Sequence, residues 1–233
     1  MRFLIIVTGW NWENYIIPCF ESIHRQTYTN WKVSVIDDGS TDDSYQVLQN
    51  YHSKRFQINF FDKNKGTYYA RDQAIKNSSD YDVIVLLDGD DELLPNALEL
   101  AVKEYEKGNL MTYGNYVDSN NEICKIDINY PEEIHLNRDY RKDLFRCTHL
   151  RTFKKELYEA IPKWSLTQAE KDSYPDCEIL FSMLEMSGKE RIGVIQEPIY
   201  IYSNTNPMRT LKRFGKDYEG YDVIVNRPKR ELL

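Results

Sequence analysis

Apolar residues gather along this chain into short continuous runs, separated by segments with helical spacing. Phe3 to Val7 is such a run, of strand length and without alternation, the pattern of a strand covered on both faces. After a loop over residues 8–13, Ile16, Cys19, Phe20 and Ile23 recur at i, i+3, i+4 and i+7 and predict a helix with one apolar face. Pro18 is tolerated near the start of that helix. Trp31 to Ile36 predicts a second strand, ending at Asp37-Asp38-Gly39-Ser40. Ser40 with Asp43 resembles a helix N-terminal cap, and Val47, Leu48 and Tyr51 carry the helix onward. Ile58 to Phe61 predicts a third strand, and Lys65-Gly66 turns the chain into a helix over 67–76. Val83 to Leu87 is the most apolar run and stops at Asp88-Gly89-Asp90-Asp91. Pro95 then opens a helix with Leu98, Ala101, Val102 and Tyr105 on one side.

Strands alternating with helices at this spacing imply an α/β fold, a mostly parallel central sheet with helices on both faces. Ligands of such sheets bind beyond the carboxyl ends of the strands, and both acidic clusters, Asp37-Asp38 and Asp88 to Asp91, fall at those ends. The second half has another character. Met111 to Tyr116 and Glu122 to Ile126 predict a hairpin around Asn120-Asn121, and residues 129–143 a long surface loop. A helix is expected over 176–187, with Leu180, Met183, Leu184 and Ser187 on one face. Ile192 to Ile195 and Ile199 to Tyr202 read as two short strands separated by Pro198. From Pro207 the chain turns basic, through Arg209, Lys212, Arg213 and Lys216 to Arg227, Lys229 and Arg230.

At 233 residues the chain fits one α/β domain with a short appendage, and 41% apolar residues supply a sizeable core. A net charge of −7 argues against a dedicated nucleic-acid binder. Cys19, Cys124, Cys147 and Cys177 are scattered without a C-x-x-C pair, so neither a zinc site nor a disulfide framework is expected. The first apolar run is too short for a signal or membrane span, and no other stretch is long enough to cross a bilayer. The expectation is a soluble, cytoplasmic protein. Its 18 tyrosines suit sugar or base pockets, though compositional bias is the commoner explanation.

Two aspartates separated by glycine at the mouth of a buried strand can converge on one hard cation while backbone approaches closely. A divalent ion there would bridge a diphosphate and neutralise a leaving group. A solvated turn that stabilises the next helix dipole would use the same residues. Asp37 and Asp38 could accept hydrogen bonds from a base or ribose, and Arg71, one turn into its helix, could reach a phosphate. Asp176, at the start of the late helix, would stay ionised as a general base requires, and plain N-terminal capping is its alternative. No G-x-G-x-x-G follows a strand, which counts against a dinucleotide oxidoreductase. Thr8-Gly9-Trp10-Asn11-Trp12 is not the glycine-rich loop of a nucleotidyltransferase.

In this order, the segments resemble family 2 of the GT-A-fold glycosyltransferases. They are Ile5 to Asn11, Ser22-Ile23-His24-Arg25-Gln26-Thr27-Tyr28, Val35 to Asp42, Asn64-Lys65-Gly66 with Ala70-Arg71, and Leu86 to Asp91. The resemblance covers residues 3 to 205, strongly to about 105. It implies a GT-A domain over 1–205, its half over 1–105 binding the donor and its half over 106–205 the acceptor, with residues 206–233 as a basic extension. The implied activity is metal-dependent, inverting transfer from a nucleoside-diphosphate sugar, UDP-linked, to a hydroxyl of a glycan, lipid-linked or protein acceptor. Thr8, Asp37, Asp38, Arg71, Asp88 and Gly89 would bind the nucleotide sugar, and Asp90 with Asp88 would hold Mn2+ or Mg2+. Asp176 would inherit the base role, while His149 matches a segment near the acceptor side. Two departures stand out: Pro175 replaces a usual glutamate, and none of Ser203-Asn204-Thr205-Asn206 is the family's late histidine. They motivate the alternative of a catalytically impaired sugar-nucleotide or glycan-binding module. Arg209 or Lys212 of the basic segment would then take over the phosphates. That segment is equally suited to an anionic acceptor, an anionic membrane surface, a solvated face or a dimer contact, and the oligomeric state is not legible.

Overall fold

The computed structural model describes residues 1–78, 80–162, 175–206 and 226–233, without the side chain of Pro175. The basic residues Arg209, Lys212, Arg213 and Lys216, and the roles considered for them, lie outside the described residues. The chain runs through β1 (Phe3–Gly9), α1 (Ile16–His24), β2 (Trp31–Asp37), α2 (Ser44–Gln49), β3 (Phe56–Phe60), α3 (Thr67–Lys76), β4 (Val83–Asp88) and a two-residue β5 (Glu92–Leu93). It continues through α4 (Ala97–Glu106), β6 (Met111–Asp118), α5 (Glu132–Asn137), β7 (Arg151–Lys154), α6 (Lys155–Glu159), α7 (Pro175–Ser187) and β8 (Ile192–Tyr202).

The strands form one sheet in the order β3-β2-β1-β4-β7-β6-β8-β5. Four of its seven pairings are parallel, all but one of them in the first half. The run from Phe3 to Val7 is fully covered because alternate residues enter different cores. Phe3, Ile5 and Val7 face α1 and α4, packing with Phe20, Ile23, Leu98 and Tyr105. Leu4 and Ile6 face α3, α6 and α7, with Ile75, Leu157, Phe181 and Leu184. This is an α/β fold with a central sheet flanked by helices. None of the helices is long and apolar enough to cross a membrane among the described residues.

Three local expectations are corrected. The second strand of the hairpin does not form, and only one bridge, Val117 with Ile123, joins that turn. β6 instead spends its edges on β7 and β8. Ile192 to Tyr202 is one strand, because an irregularity between Gly114 and Tyr116 lets Pro198 lie opposite Asn115 without breaking the ladder. The Ser40–Asp43 cap is absent from α2. Ser40 Oγ donates to Asp37 Oδ2 at 2.6 Å, and the first-turn amide of Ser44 donates to Asp42 Oδ1 at 3.0 Å.

Candidate functional site

β1 has β2 on one side and β4 on the other, so successive crossovers leave it in opposite directions. The carboxyl ends at that reversal form a crevice in any open α/β sheet. In register there are Thr8 with Asp88, and Gly9 with Asp37. The rim is laid on glycines: a Cβ on Gly9 or Gly89 would overlap the buried ring of Trp12. Gly39, at φ +72°, would collide with the backbone of Lys63. Trp12 Nε1 in turn donates to Asp37 Oδ2 at 3.0 Å.

The aspartates of the first rim are deeply engaged. Asp37 accepts from Trp12 and from both the amide and the hydroxyl of Ser40. Asp38 accepts the amides of Lys65 and Gly66, each at 2.8 Å, tying β2 to the turn before α3. Burial raises the Asp38 pKa, and those two amides partly offset it. Thr8 is 6% exposed, and its hydroxyl finds no hydrogen-bond partner among the described residues.

Arg71 is the hinge of the second rim. It is 5% exposed, and Nη1 donates to both oxygens of Asp176 at 2.8 Å while Nη2 donates to Asp88 Oδ1. Burial works against its charge, but Asp176 and Asp88 outweigh that and push its pKa up. Asp176 and Arg71, 105 positions apart, thus meet at the end of β4. Arg151 adds a contact to Asp176 Oδ2 at 3.3 Å. Burial alone would raise the Asp176 pKa, yet Arg71 and Arg151 overcome it and hold the carboxyl below the usual carboxylate range. The side chains of Asp88 and Asp176 remain 28% and 37% exposed, so solvent and ligands reach both.

Asp88, Asp91 and His149 each bring one ligand atom within 4.8 Å of one another, a donor set that fits a divalent cation. Asp91 is buried and accepts from Tyr200 Oη at 2.6 Å and the Ser203 amide at 2.7 Å. Burial, then the charges of Asp88 and Asp90, push its pKa well up. The imidazole of His149 stacks on Tyr200 at 4.8 Å. Asp90 belongs to the same turn but faces the last loop, where Asn206 Nδ2 donates to its Oδ2 at 2.9 Å.

Sequence reasoning missed Arg151 and Tyr200 as neighbours of the aspartates, and it reached Asn206 only through the family resemblance, as one of the positions where a late histidine is absent. Each comes from the second half, and no spacing in the chain announces the meeting. His149 carried only a faint signal, a histidine just ahead of β7. The larger cavities lie elsewhere. One of about 460 Å³, against β2, β3 and α3, includes Lys32, Arg55 and Gln73 but no residue of either acidic rim.

A switch-point crevice with paired acidic rims and a buried arginine between them marks the chain as an α/β domain with its candidate site at the carboxyl ends of the strands. The family model for glycosyl transferase family 2 matches residues 4–161, and the chain belongs to that family. It is 30% identical to a chondroitin synthase from Escherichia coli over 98% of this chain and 32% of that one. It is 25% identical to a hyaluronan synthase from Pasteurella multocida over 96% of this chain and 22% of that one. The chain therefore spans about a third or less of the length of these relatives. Among solved structures, residues 1–349 of TarS from S. aureus superpose with a TM-score of 0.66 at 19% identity, covering 87% of this chain and 60% of that one. The same protein in complex with UDP-GlcNAc gives 0.65 at 18% identity, over 95% and 61%. These likenesses show the GT-A fold.

Proposed function

We propose that this chain transfers a sugar from a UDP-linked donor to an acceptor hydroxyl, with inversion in a single displacement. The observation that carries this reading is Arg71, which joins Asp88 of the acidic turn to Asp176 of α7 through one guanidinium. A base and a phosphate-side carboxylate at one spot are what such a displacement needs. Residues 1–105 then form the donor half and 106–205 the acceptor half.

Thr8 supplies the nucleobase with its unpartnered hydroxyl, and Asp38 stands beside it with lone pairs beyond those its two amides use. Asp37 shapes the loop, while Gly89 lets backbone approach the donor next to Trp12. Mn2+ or Mg2+ would be held by Asp88, Asp91 and His149, whose ligand atoms lie together; Asp90, the ligand the family resemblance implies, would join them on turning from Asn206. When bound, the cation offsets charge on the departing diphosphate. Asp176 takes the acceptor proton. Its two arginines keep it ionised at neutral pH, and one oxygen must turn from Arg71 to the incoming hydroxyl. The relatives named for chondroitin and hyaluronan favour a glycan as that acceptor. The four cysteines are free, consistent with a cytoplasmic site of action.

The test is transfer from a panel of nucleotide sugars with Mn2+ or Mg2+, and its loss on chelation. Asp176→Asn should lower turnover by about 10²- to 10⁴-fold with donor affinity kept; full activity in that variant would remove Asp176 from the mechanism. UDP binding without turnover on any acceptor would mark a binding module instead.

A further inference from the structure

α7 presents two faces. One turns Asp176 toward Arg71 and Arg151. The other buries Glu178 and Glu185, at 0% and 1% exposure and two turns apart, beneath residues 226–233. Three guanidiniums converge on these two carboxylates. Arg141 Nη1 reaches Glu178 Oε2 at 2.8 Å and Arg141 Nε reaches Glu185 Oε1 at 2.7 Å. Arg227 Nη1 donates to Glu178 Oε2 at 2.9 Å, and Arg230 Nη2 to Glu178 Oε1 at 2.7 Å. The Arg230 amide adds a bond to Glu185 Oε2 at 3.0 Å. Arg138 Nη1 ties the segment back to the body through Arg230 O at 2.9 Å, and Lys229 pairs with Asp139. The Leu233 amide reaches Met186 O, near the far end of the helix, at 3.0 Å.

We infer that residues 226–233 are a strap that positions α7, with Arg227 and Arg230 as positioning residues for Asp176 rather than ligand-binding cations. Arg141 pairs with both buried carboxylates, and a buried carboxylate that loses one of its charged partners is strongly destabilised. The strap supplies two further guanidiniums to Glu178 in the first turn, and its Arg230 and Leu233 amides reach Glu185 and Met186 near the last, so it follows nearly the whole helix. Glu178 lies two residues from Asp176, so a slide or rotation of α7 that breaks the strap contacts also moves the carboxylate that Arg71 holds. The site is thus fixed on one face of α7 by Arg71 and on the other by the strap. The importance of this for turnover rests on the reading of Asp176 as the base; the mechanical coupling does not.

The test is a double-mutant cycle in the full chain. Arg230→Met and Arg71→Met are made singly and together, and urea midpoints and amide exchange are measured. Arg230→Met should speed exchange of α7 amides at least about tenfold, while amides of β1 and β2 keep their protection. The two midpoint shifts should fall short of additivity, since Arg71 has less to lose once α7 is loosened. Arg230→Lys should recover part of the protection. Additive shifts, or exchange that rises equally across the sheet, would overturn the inference. If Arg230→Met prevents folding, Arg227→Met enters the same cycle, and additivity there has the same meaning. Asp176→Asn with full turnover would defeat the proposed base, yet the coupling measured between Arg230 and Arg71 would still stand or fall by itself.

Discussion

Asp176 and Asp91 meet opposite electrostatic fates within one crevice. Asp176 faces two arginines and is held below the ordinary carboxylate range. Its folded pKa lies below its unfolded value of about 4, so its ion pairs contribute stability above that pH and lose it as pH falls through the folded value. Melting temperature followed from pH 5 to pH 2 should therefore drop less steeply in Asp176→Asn than in the parent. Asp91 sits instead among like charges in a buried place, with Tyr200 as its main support. A cation held by Asp88, Asp91 and His149, as proposed above, would relieve that crowding. His149→Ala should weaken Mn2+ binding at least about tenfold, read by calorimetry with UDP present, and leave metal-free stability nearly unchanged. The aspartates themselves were legible in the sequence because their clusters follow apolar runs. Their partners were not, since Arg71 meets Asp176 across 105 positions and His149 meets the acidic turn from another strand's approach.

Elements of the first half follow their patterns closely, and one motif turns out to be structural. Gln26 of the Ser22-to-Tyr28 segment is buried: Nε2 donates to Leu94 O at 2.8 Å, and Oε1 accepts the Leu98 amide at 3.1 Å. Ser22 Oγ accepts the Leu93 amide at 3.0 Å. α1 thus holds the chain that leaves the acidic turn, fixing β5 and the first turn of α4. Gln26→Met should cost about 1–3 kcal/mol, since it orphans the buried Leu98 amide while Leu94 O keeps the Ala97 amide; denaturant unfolding measures it. Donor affinity should change little at temperatures where the variant is folded. In the second half, pattern reading failed where long-range pairing decides. β6 finds partners on both sides, which removes the need for a local hairpin, and Pro198 is absorbed at a bulge that no local signal marks. The loop expected over 129–143 holds α5 and a short helical turn at Tyr140–Lys142.

Across the whole molecule, one sheet separates two cores that are continuous over both halves. Phe153 lies in the core with α3, α6 and α7, and Phe20 in that with α1 and α4, each 1% exposed. Truncating either to alanine should cost about 3–5 kcal/mol. Each variant should still unfold in one transition by fluorescence and circular dichroism, because the shared sheet couples the cores. The first and second halves of the chain are then regions of one cooperative body.

β5 has a consequence in time. Its two residues follow the acidic turn directly, yet they pair with Tyr200 and Ile201, and Asp91 leans on Tyr200 and Ser203. Closing so long a loop is slow, and contacts between distant parts of a chain form late. A nascent chain that has emerged only through α4 carries every aspartate of the two rims but lacks the strand that pairs with β5 and braces Asp91. On the reading proposed above, competence to bind a sugar nucleotide would arrive only with β8, and chains that stop short of it would leave the donor pool untouched.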